Sequence, residues 1–239
     1  MNPLPSHEHT CMATEPLLPL SGIRVIEFTH MVMGPTCGMI LADLGAEVIK
    51  VEPPGGDKTR TLPGLGIGFF RSFNRNKKSV VLDITTEAGR ATAAELAAGS
   101  DVVLENFRPG LMQSLGLDYA TLKSYRDDII FVTNTAYGPV GPMSKNVGFD
   151  TIGQAMSGAM YMTGDPGKPT RAAANWVDFG TALHCAFGAM AALMQRSQTG
   201  QGQMVTGALL ATAIAVTNGT LIEQHVAQVN RVPTGNRGQ

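Results

Sequence analysis

The chain has 239 residues, with 44% apolar side chains, 15% charged side chains and a formal net charge of −1 at pH 7. This size and apolar content suit one large domain with a substantial core. The balanced charge argues against a nucleic-acid-binding surface and against a polybasic membrane-binding segment. Cys11, Cys37 and Cys185 are far apart and form neither a disulfide framework nor a metal-ligand pattern. We therefore expect free thiols in a reducing cytoplasm and no bound metal.

The beginning of the chain predicts a flexible tail over residues 1–19, where Pro3, Pro5 and Ser6 interrupt regular structure. It has no basic segment followed by a long apolar run, so we expect no secretory signal. The apolar run 179–194 is interrupted by polar residues too soon to predict a membrane span. The sequence therefore predicts a soluble, cytoplasmic protein without a membrane partner.

A β-α-β unit follows the tail. Residues 23–28 and 46–51 are short β-branched runs that predict strands, and residues 35–44 predict the helix between them. Pro35 suits the first helical turn and Gly45 ends the helix. A right-handed crossover makes such strands parallel. No Gly-x-Gly-x-x-Gly follows the first strand, so a dinucleotide site is not expected.

Further strands and helices alternate along the next hundred residues. The loop 52–57 lies at the carboxyl end of a strand, the edge where open parallel sheets bind ligands. A basic polar loop over residues 71–78 precedes a predicted strand at 79–84. Next we predict a helix at 87–98, capped by Thr85 or Thr86, a strand at 101–105, helices at 111–115 and 119–125, and a strand at 129–133. This alternation predicts an α/β fold: a Rossmann-like open parallel sheet with flanking helices.

The last third of the predicted domain is mostly helical. We predict a helix at 149–157, a polar loop at 163–174, a turn at 199–203 and a helical segment at 206–228. Between them, Asp178 precedes a periodic apolar stretch that contains Phe179, Ala182 and Ala186. One interpretation is that Asp178 is the N-cap of a core helix. The other is a carboxylate that backbone N–H groups keep ionised at the helix N-terminus, free to attack a substrate.

Six segments, taken in order, resemble the class III CoA-transferases, which include formyl-CoA and carnitine CoA-transferases and α-methylacyl-CoA racemases. They are residues 20–28, 43–57, 74–79, 105–110, 154–158 with Asp178, and 199–203. The resemblance covers the chain from about residue 20 to its end. It implies the large, Rossmann-like domain of that fold over residues 20–228.

The resemblance also implies a reaction. In the transferases, an Asp at the position of Asp178 attacks an acyl-CoA thioester, and the reaction passes through an aspartyl mixed anhydride and an aspartyl-CoA thioester. The partners implied are coenzyme A, as an acyl-CoA substrate, and a carboxylic acid acceptor. Full-length relatives form homodimers of interlocked chains, so a homodimer is expected here.

The resemblance implies six CoA-binding residues in two loops: Asn74, Asn76, Lys77, Asn106, Phe107 and Arg108. Lys78 is an alternative to Lys77, because a lysine there needs only charge and reach. Phe107 is alternatively a simple anchor of its loop. Glu52 and Arg60 are further candidates, and Asp150 matches an acidic position that supports the catalytic Asp.

Two departures narrow the expected activity. Val32 stands where formyl-CoA transferases carry a Gln, which argues against formyl-CoA and oxalate as substrates. Phe149 stands where the racemases carry a proton-transferring His, and a phenyl ring cannot move a proton. His30 is not in that position and is interpreted as structural.

The end of the sequence predicts a shortened chain. Family members continue past a Gly-Asn-Arg-Gly segment into a small domain, so residues 229–239 are expected to begin a linker to a small domain that this chain lacks. We expect a CoA-transferase or the N-terminal part of one. The alternatives are a CoA-ester racemase or isomerase on the same fold, and an inactive CoA-binding fragment.

Overall fold

The fold is taken from a computed structural model that describes residues 17–235 and residue 237. The tail predicted over residues 1–19 therefore lies almost entirely outside the described residues. The described part of residues 229–239 contains no helix or strand, and its assignment as a linker stays a prediction.

Six strands form one parallel sheet in the order β3-β2-β1-β4-β5-β6. They are β1 (Arg24–Phe28), β2 (Glu47–Glu52), β3 (Lys77–Val81), β4 (Val102–Glu105), β5 (Ile130–Thr135) and β6 (Met204–Ala208). The order reverses between β1 and β4, as in a doubly wound fold. The predicted open parallel sheet is thus confirmed, and its ligand-binding crevice is expected beside the carboxyl ends of these two strands.

Helices cover both faces of the sheet. Those described are α1 (Met33–Asp43), α2 (Gly66–Phe73), α3 (Glu87–Ala98), α4 (Leu111–Ser114), α5 (Tyr119–Tyr125), α6 (Asp150–Met156), α7 (Ala159–Thr163), α8 (Trp176–Thr199) and α9 (Leu209–Ala227), with a 3-10 turn at Lys58–Arg60. The helix predicted at 87–98 has those bounds, and the Thr86 side chain accepts a hydrogen bond from the Gly89 amide. Thr86 is therefore its N-cap.

Two apolar cores lie on opposite faces of the sheet. Side chains alternate along a strand, so Val25 enters the core formed with α1 and α8, while Ile26 and Phe28 enter the core formed with α3 and α5. All three are completely buried. This double burial explains why apolar residues occupy successive positions in the central strands, such as Val25 and Ile26 in β1.

Helix α8 packs across the first of these cores. Ala182, Ala186 and Ala189 are at most 1% exposed, and these small side chains allow close approach to α1 and the sheet. In the part of the chain that the structure describes, α8 is the one helix long and apolar enough to cross a membrane by length and composition, with a mean hydropathy of 1.4. Core helices of soluble proteins meet the same criteria. Its buried face is typical of such a core helix.

Two local predictions are wrong. The basic loop predicted at 71–78 is instead the end of α2 and the start of β3, which pairs with β2 from Lys77 onward. The helix predicted from residue 206 begins only at Leu209, because Met204–Ala208 forms edge strand β6. Both strands lie at sheet edges, where one side meets solvent and polar or small residues are tolerated. The strand predicted at 79–84 instead spans Lys77–Val81, and Met204–Ala208 lacks the apolar run of a central strand.

Candidate active site

Asp178 is the third residue of α8 and is 9% exposed. The helix has Asn175 at its N-cap position, so the interpretation of Asp178 as the cap is wrong. Asn175 Nδ2 donates a long hydrogen bond of 3.5 Å to Asp178 Oδ2. Among the described residues, no backbone N–H donates to the Asp178 carboxylate. The structure thus leaves this carboxylate with little hydrogen-bonding support.

Asp150, rather than Asp178, accepts hydrogen bonds from the free backbone N–H groups at the start of α8. Its Oδ2 accepts hydrogen bonds from the backbone amides of Val177, at 2.9 Å, and Asp178, at 3.1 Å. Gln154, one turn later on α6, donates to Asp150 Oδ1 and accepts from the Ala172 amide at 2.9 Å. A carboxylate from another helix therefore holds the N-terminal N–H groups of α8. This arrangement places Asp150 beside Asp178, as its match to a supporting acidic position implied.

The electrostatics of Asp178 differ from the expectation of a carboxylate held ionised. Burial, and then the negative charge of Asp150, raise the pKa of Asp178 from 3.8 to about 7, against the opposing hydrogen bond from Asn175. Near neutral pH, the group is therefore divided between acid and carboxylate. A desolvated carboxylate of raised pKa is more basic than one in water, and is correspondingly better suited to attack a carbonyl carbon.

Asp178 and Asp150 line a cavity of about 400 Å³ beside the carboxyl ends of β1, β4 and β5. We call it the Asp178 cavity. Its walls include His30, Met31, Val32, Met33, Asn106, Phe107, Arg108, Asn134, Thr135, Phe149, Asp150, Asn175 and Asp178.

A second cavity of about 530 Å³, which we call the apolar cavity, adjoins the Asp178 cavity. Its walls include Phe28, His30, Met31, Val51, Pro53, Leu62, Leu82, Ile84, Thr85, Phe107 and Phe149. Four residues line both cavities: His30, Met31, Phe107 and Phe149. We refer to these two adjoining cavities together as the crevice, which lies at the reversal of strand order, as the fold predicts.

Asn106 shapes the junction between the two cavities. Its Oδ1 accepts the His30 amide at 3.0 Å, and its Nδ2 donates to the His30 carbonyl at 3.0 Å. The His30 ring then lies against Phe107, with 5.7 Å between ring centroids. The pKa of His30 is lowered, mainly by desolvation, so its imidazole is neutral at pH 7. Asn106 therefore clamps the backbone of the cavity wall.

Met31 lies at the same junction in a left-handed backbone conformation, with φ of 64°. Such a conformation costs energy for a residue with a Cβ atom. The hydroxyl of Thr59 accepts the Met31 amide at 3.2 Å, and the Lys50 ammonium donates to the Thr29 carbonyl at 2.7 Å. Lys50 is itself paired with Asp57 at 3.1 Å. Buried ionic contacts therefore hold the loop that lines both cavities.

The structure divides the six predicted CoA-binding residues into two groups. Asn106, Phe107 and Arg108 follow β4 and line the crevice. Asn74, Asn76 and Lys77 line neither of its two cavities. Lys77 is 2% exposed in its side chain and donates to Glu27 at 2.9 and 3.0 Å and to the Pro35 carbonyl at 2.8 Å. These internal contacts argue against a role for Lys77 in binding CoA, because its ammonium is already fully bonded.

Asn76 and Asn74 also make contacts within the protein. Asn76 donates to Asp43 at 2.8 Å, and Asn74 donates to the Phe70 carbonyl at 2.9 Å while its Oδ1 accepts from Lys77 at 3.2 Å. Lys78, the alternative to Lys77, pairs with Glu47. Their roles as ligands stay predictions.

Glu52 and Arg60, the further candidates, bond to each other. Arg60 donates to both carboxylate oxygens of Glu52 at 2.7 Å, and its guanidinium lies 3.9 Å from the Phe70 ring centroid. The pKa of Glu52 is lowered to about 2, because these bonds and those from the Asp57 amide and Ser79 outweigh the opposing effect of burial. Glu52 is thus a structural anchor of the loop that follows β2.

Sequence reasoning missed several residues of the crevice. Leu82, Ile84 and Thr85 follow β3 and line the apolar cavity, although the sequence assigned them to a strand and a cap. Asn134 lies at the end of β5, completely buried in the wall of the Asp178 cavity. A polar residue inside an apolar strand was the available signal for Asn134. Among residues 17–235 and 237, no group of three or more His, Cys, Asp or Glu could hold a metal ion.

Comparison with known proteins assigns the chain to a family. The family model for CoA-transferase family III matches residues 20–239. Mouse succinyl-CoA:glutarate CoA-transferase is 41% identical over 203 residues, which cover 82% of this chain and 47% of that protein. Succinyl-CoA–D-citramalate CoA-transferase of Chloroflexus aurantiacus is 38% identical over 233 residues, which cover 92% of this chain and 56% of that protein. The chain thus spans about half the length of these curated relatives.

A solved structure agrees with this assignment. The crystal structure of a CAIB/BAIF family protein from Brucella suis is 35% identical, with a TM-score of 0.87, and the match covers 92% of this chain and 61% of that chain. The sheet order and the cavity at the carboxyl edge of the sheet agree with the family that these similarities indicate. The chain belongs to CoA-transferase family III.

Proposed function

We propose that this chain carries the acyl-CoA site and the nucleophile of a CoA-transferase that moves CoA between carboxylic acids. The observation that carries the proposal is the buried carboxyl of Asp178, with a pKa of about 7, in a cavity that adjoins a second, apolar one. A nucleophile beside a long crevice suits a thioester substrate with a large carrier group. The carboxylate of an aspartate is a known covalent nucleophile, and its anhydride and its thioester both keep a carbonyl carbon activated.

The proposed reaction conserves the activation of the thioester. The Asp178 carboxylate attacks the thioester carbonyl, the C–S bond breaks, and CoA leaves as a thiolate from a mixed anhydride. The thiolate then attacks the aspartyl carbonyl, which releases the donor acid as a carboxylate and leaves an aspartyl-CoA thioester. The acceptor carboxylate attacks the carbonyl of this thioester, the C–S bond breaks, and CoA leaves as a thiolate from a second mixed anhydride. CoA thiolate attacks the acceptor's acyl carbon, which yields the new acyl-CoA and regenerates Asp178.

The cavities support a particular placement of the substrate. The acyl group and the thioester would occupy the Asp178 cavity, with the pantetheine arm passing between Phe107 and Phe149 into the apolar cavity. Arg108 lines the Asp178 cavity from the exposed side and provides a positive charge for a substrate carboxylate or a phosphate. Asn106 acts through the His30 backbone and is a positioning residue in this proposal.

The acceptor is proposed to be a carboxylic acid, and the names of the relatives favour dicarboxylic acids. One relative is named for succinyl-CoA and glutarate, another for succinyl-CoA and D-citramalate. Other relatives are named for oxalate, with formyl-CoA or acetyl-CoA as donor. Val32 stands where formyl-CoA transferases carry a Gln, and this difference argues against the formyl-CoA reaction for this chain.

A homodimer and a cytoplasmic location remain part of the proposal. Apolar side chains on α8 and α9 are exposed, among them Phe187 at 71% and Val226 at 75%. Such a surface is typical of one that another protein surface covers. An interlocked homodimer, as the family resemblance implies, would supply that cover.

Trapping of the intermediate tests the proposal. Incubation with succinyl-CoA and hydroxylamine should convert the Asp178 side chain to a hydroxamate, detected by mass spectrometry of the peptide that contains it. Asp178→Asn is the control and should yield no hydroxamate. Transfer of CoA to succinate analogues that persists undiminished in Asp178→Asn would refute the proposed nucleophile.

The two alternatives give different results in the same preparation. A racemase or isomerase would incorporate solvent deuterium at the α-carbon of an acyl-CoA without acyl transfer. An inactive fragment would bind acyl-CoA in a calorimetric titration but yield neither hydroxamate nor deuterium. Phe149 lines the Asp178 cavity where the racemases carry a proton-transferring His, and a phenyl ring cannot accept a proton, so we expect no deuterium exchange.

A further inference from the structure

Asn134 is a buried amide that the proposed chemistry leaves unused. It is the fifth residue of β5, completely buried, and it lines the Asp178 cavity. Its Nδ2 makes no hydrogen bond with any residue that the structure describes. Buried amide donors in proteins almost always have a partner. A missing partner in the wall of a substrate cavity therefore points to the substrate.

The other buried side-chain atoms without hydrogen bonds differ from this one. Within the described residues they are Thr36 Oγ1, Asp57 Oδ2 and Arg196 Nη1. Asp57 Oδ2 lies 3.1 Å from the Lys50 ammonium, and Arg196 Nη1 lies 3.4 Å from Asp128 Oδ2, so both are ion-paired. Thr36 does not line either cavity of the crevice. Asn134 alone among these four combines a missing partner with a place in the crevice.

The orientation of the Asn134 amide follows from its neighbour on α8. Cys185 Sγ lies at hydrogen-bonding distance from Asn134 Oδ1. Burial raises the pKa of Cys185 to about 12, so the thiol keeps its hydrogen and donates it to the amide oxygen. Gly207 leaves room for the pair, since a Cβ atom there would lie 2.7 Å from Asn134 Oδ1. The amide oxygen is thus engaged with Cys185, and the nitrogen remains available for another partner.

The position of Asn134 along α8 indicates which part of a substrate it would meet. Cys185 follows Asp178 by seven residues, which is about 10 Å along a helix axis. Gly207, beside Asn134, also lies close to Thr181, one turn after Asp178. Asn134 is therefore one to two turns away from the nucleophile. A short acyl chain attached at Asp178 would reach it with its far end rather than with the carbonyl carbon.

We propose that Asn134 Nδ2 donates a hydrogen bond to an oxygen at the far end of the acyl group, and so selects acids that carry a second oxygen function. This inference rests on the proposed function and deepens it. A hydroxyl and a carboxylate can both accept from a neutral amide, whereas a methyl group would leave the donor unpaired. Sites built around a hydrogen bond reject analogues that lack the matching group.

Three four-carbon acceptors test the proposal: succinate, 4-hydroxybutyrate and butyrate. They differ only at the far end, which carries a carboxylate, a hydroxyl or a methyl group. With Asn134→Leu, kcat/KM for succinate or 4-hydroxybutyrate should fall about 10- to 100-fold relative to butyrate. A loss for succinate alone identifies a carboxylate as the preferred group, and a loss for 4-hydroxybutyrate alone identifies a hydroxyl. An equal change for all three acids overturns the inference.

Cys185→Ser serves as the matched control, because a serine hydroxyl can still donate to Asn134 Oδ1. It should preserve the preference for oxygen-bearing acids. Asn134→Leu removes an unpaired buried donor and keeps a similar volume, so its thermal midpoint should not fall. If that variant fails to fold, Asn134→Asp provides the second test: an additional carboxylate should weaken succinate more than 4-hydroxybutyrate, and equal effects overturn the inference.

A binding measurement separates this inference from the proposed function. Calorimetric titration with succinyl-CoA, 4-hydroxybutyryl-CoA and butyryl-CoA needs no turnover, so it remains informative if the wild-type chain transfers CoA to no acid. The wild-type chain should bind at least one oxygen-bearing ester about tenfold more tightly than butyryl-CoA, and Asn134→Leu should abolish the difference. Equal affinities of the wild-type chain for all three esters overturn the inference, even if CoA transfer is observed.

Discussion

Replacement of Asp178 by Asn should stabilise the folded chain at alkaline pH. The carboxylate is 9% exposed, lies beside Asp150 and accepts one long hydrogen bond. The ionised form of Asp178 therefore lowers the stability of the folded chain, and a neutral amide of the same shape avoids this loss. Functional groups commonly carry such a cost, which the rest of the fold offsets.

The magnitude follows from the pKa of Asp178, which is about 7 in the fold and 3.8 for an unperturbed Asp. At 1.36 kcal/mol per pKa unit, this difference corresponds to at most about 4 kcal/mol. Below pH 4 both states are protonated, so the group does not affect folding. Between pH 4 and pH 7 the unfolded state loses the proton first, so stability falls as pH rises. Above pH 7 the full cost is present.

Urea unfolding at pH 5 and pH 8 measures this effect. Asp178→Asn should exceed the wild-type chain in free energy of unfolding by about 1–2 kcal/mol at pH 5 and by up to about 4 kcal/mol at pH 8. Asp118→Asn is a control without this gain, because Asp118 caps α5 and accepts the Ala120 and Thr121 amides at 3.0 and 3.3 Å. If Asp178→Asn lowered stability equally at both pH values, Asp178 would be a structural residue and the reasoning would be refuted.

Three further substitutions probe the surroundings of the crevice. Gly38→Ala should lower the free energy of unfolding by more than about 3 kcal/mol, since the new Cβ would lie 1.8 Å from Glu27 Oε2; an unchanged urea midpoint would contradict the packing argument. Lys77→Met should cost about 3 kcal/mol by depriving Glu27 of a buried partner, yet leave acyl-CoA affinity within about twofold; a tenfold loss of affinity would restore Lys77 to the CoA site. Asn106→Ala should raise KM for acyl-CoA about tenfold by releasing the His30 backbone; an unchanged KM would exclude the clamp.

Local patterns were sufficient for the central sheet. The β-branched runs that became β1 and β2 are buried on both faces, so their apolar character reflects their environment directly. The helix at 87–98 was predicted with its bounds because Thr86 and Gly99 are local start and stop signals. Edge strands β3 and β6 gave weaker signals, because lysines and small residues are tolerated where one side faces solvent.

The site could be predicted only in part, for a different reason. Asp178 stood out because a carboxylate precedes a long apolar helix, and Asn106, Phe107 and Arg108 because they follow a buried strand at the ligand-binding edge. Lys77 shows the limit of such reasoning. A lysine in a polar segment reads as exposed, and only the sheet register brings its ammonium to Glu27, fifty positions away.

The sequence by itself determined the parallel α/β fold, the family and the place of Asp178 near the start of a core helix. These depend on periodicity, caps and ordered motifs, which are local along the chain. Only the tertiary structure decided that Asp150 holds the N-terminus of α8, that Asp178 has a raised pKa, and that Asn134, which lines the same cavity, has a buried amide nitrogen without a partner. Burial and charge proximity arise when distant segments meet, and no local pattern records them.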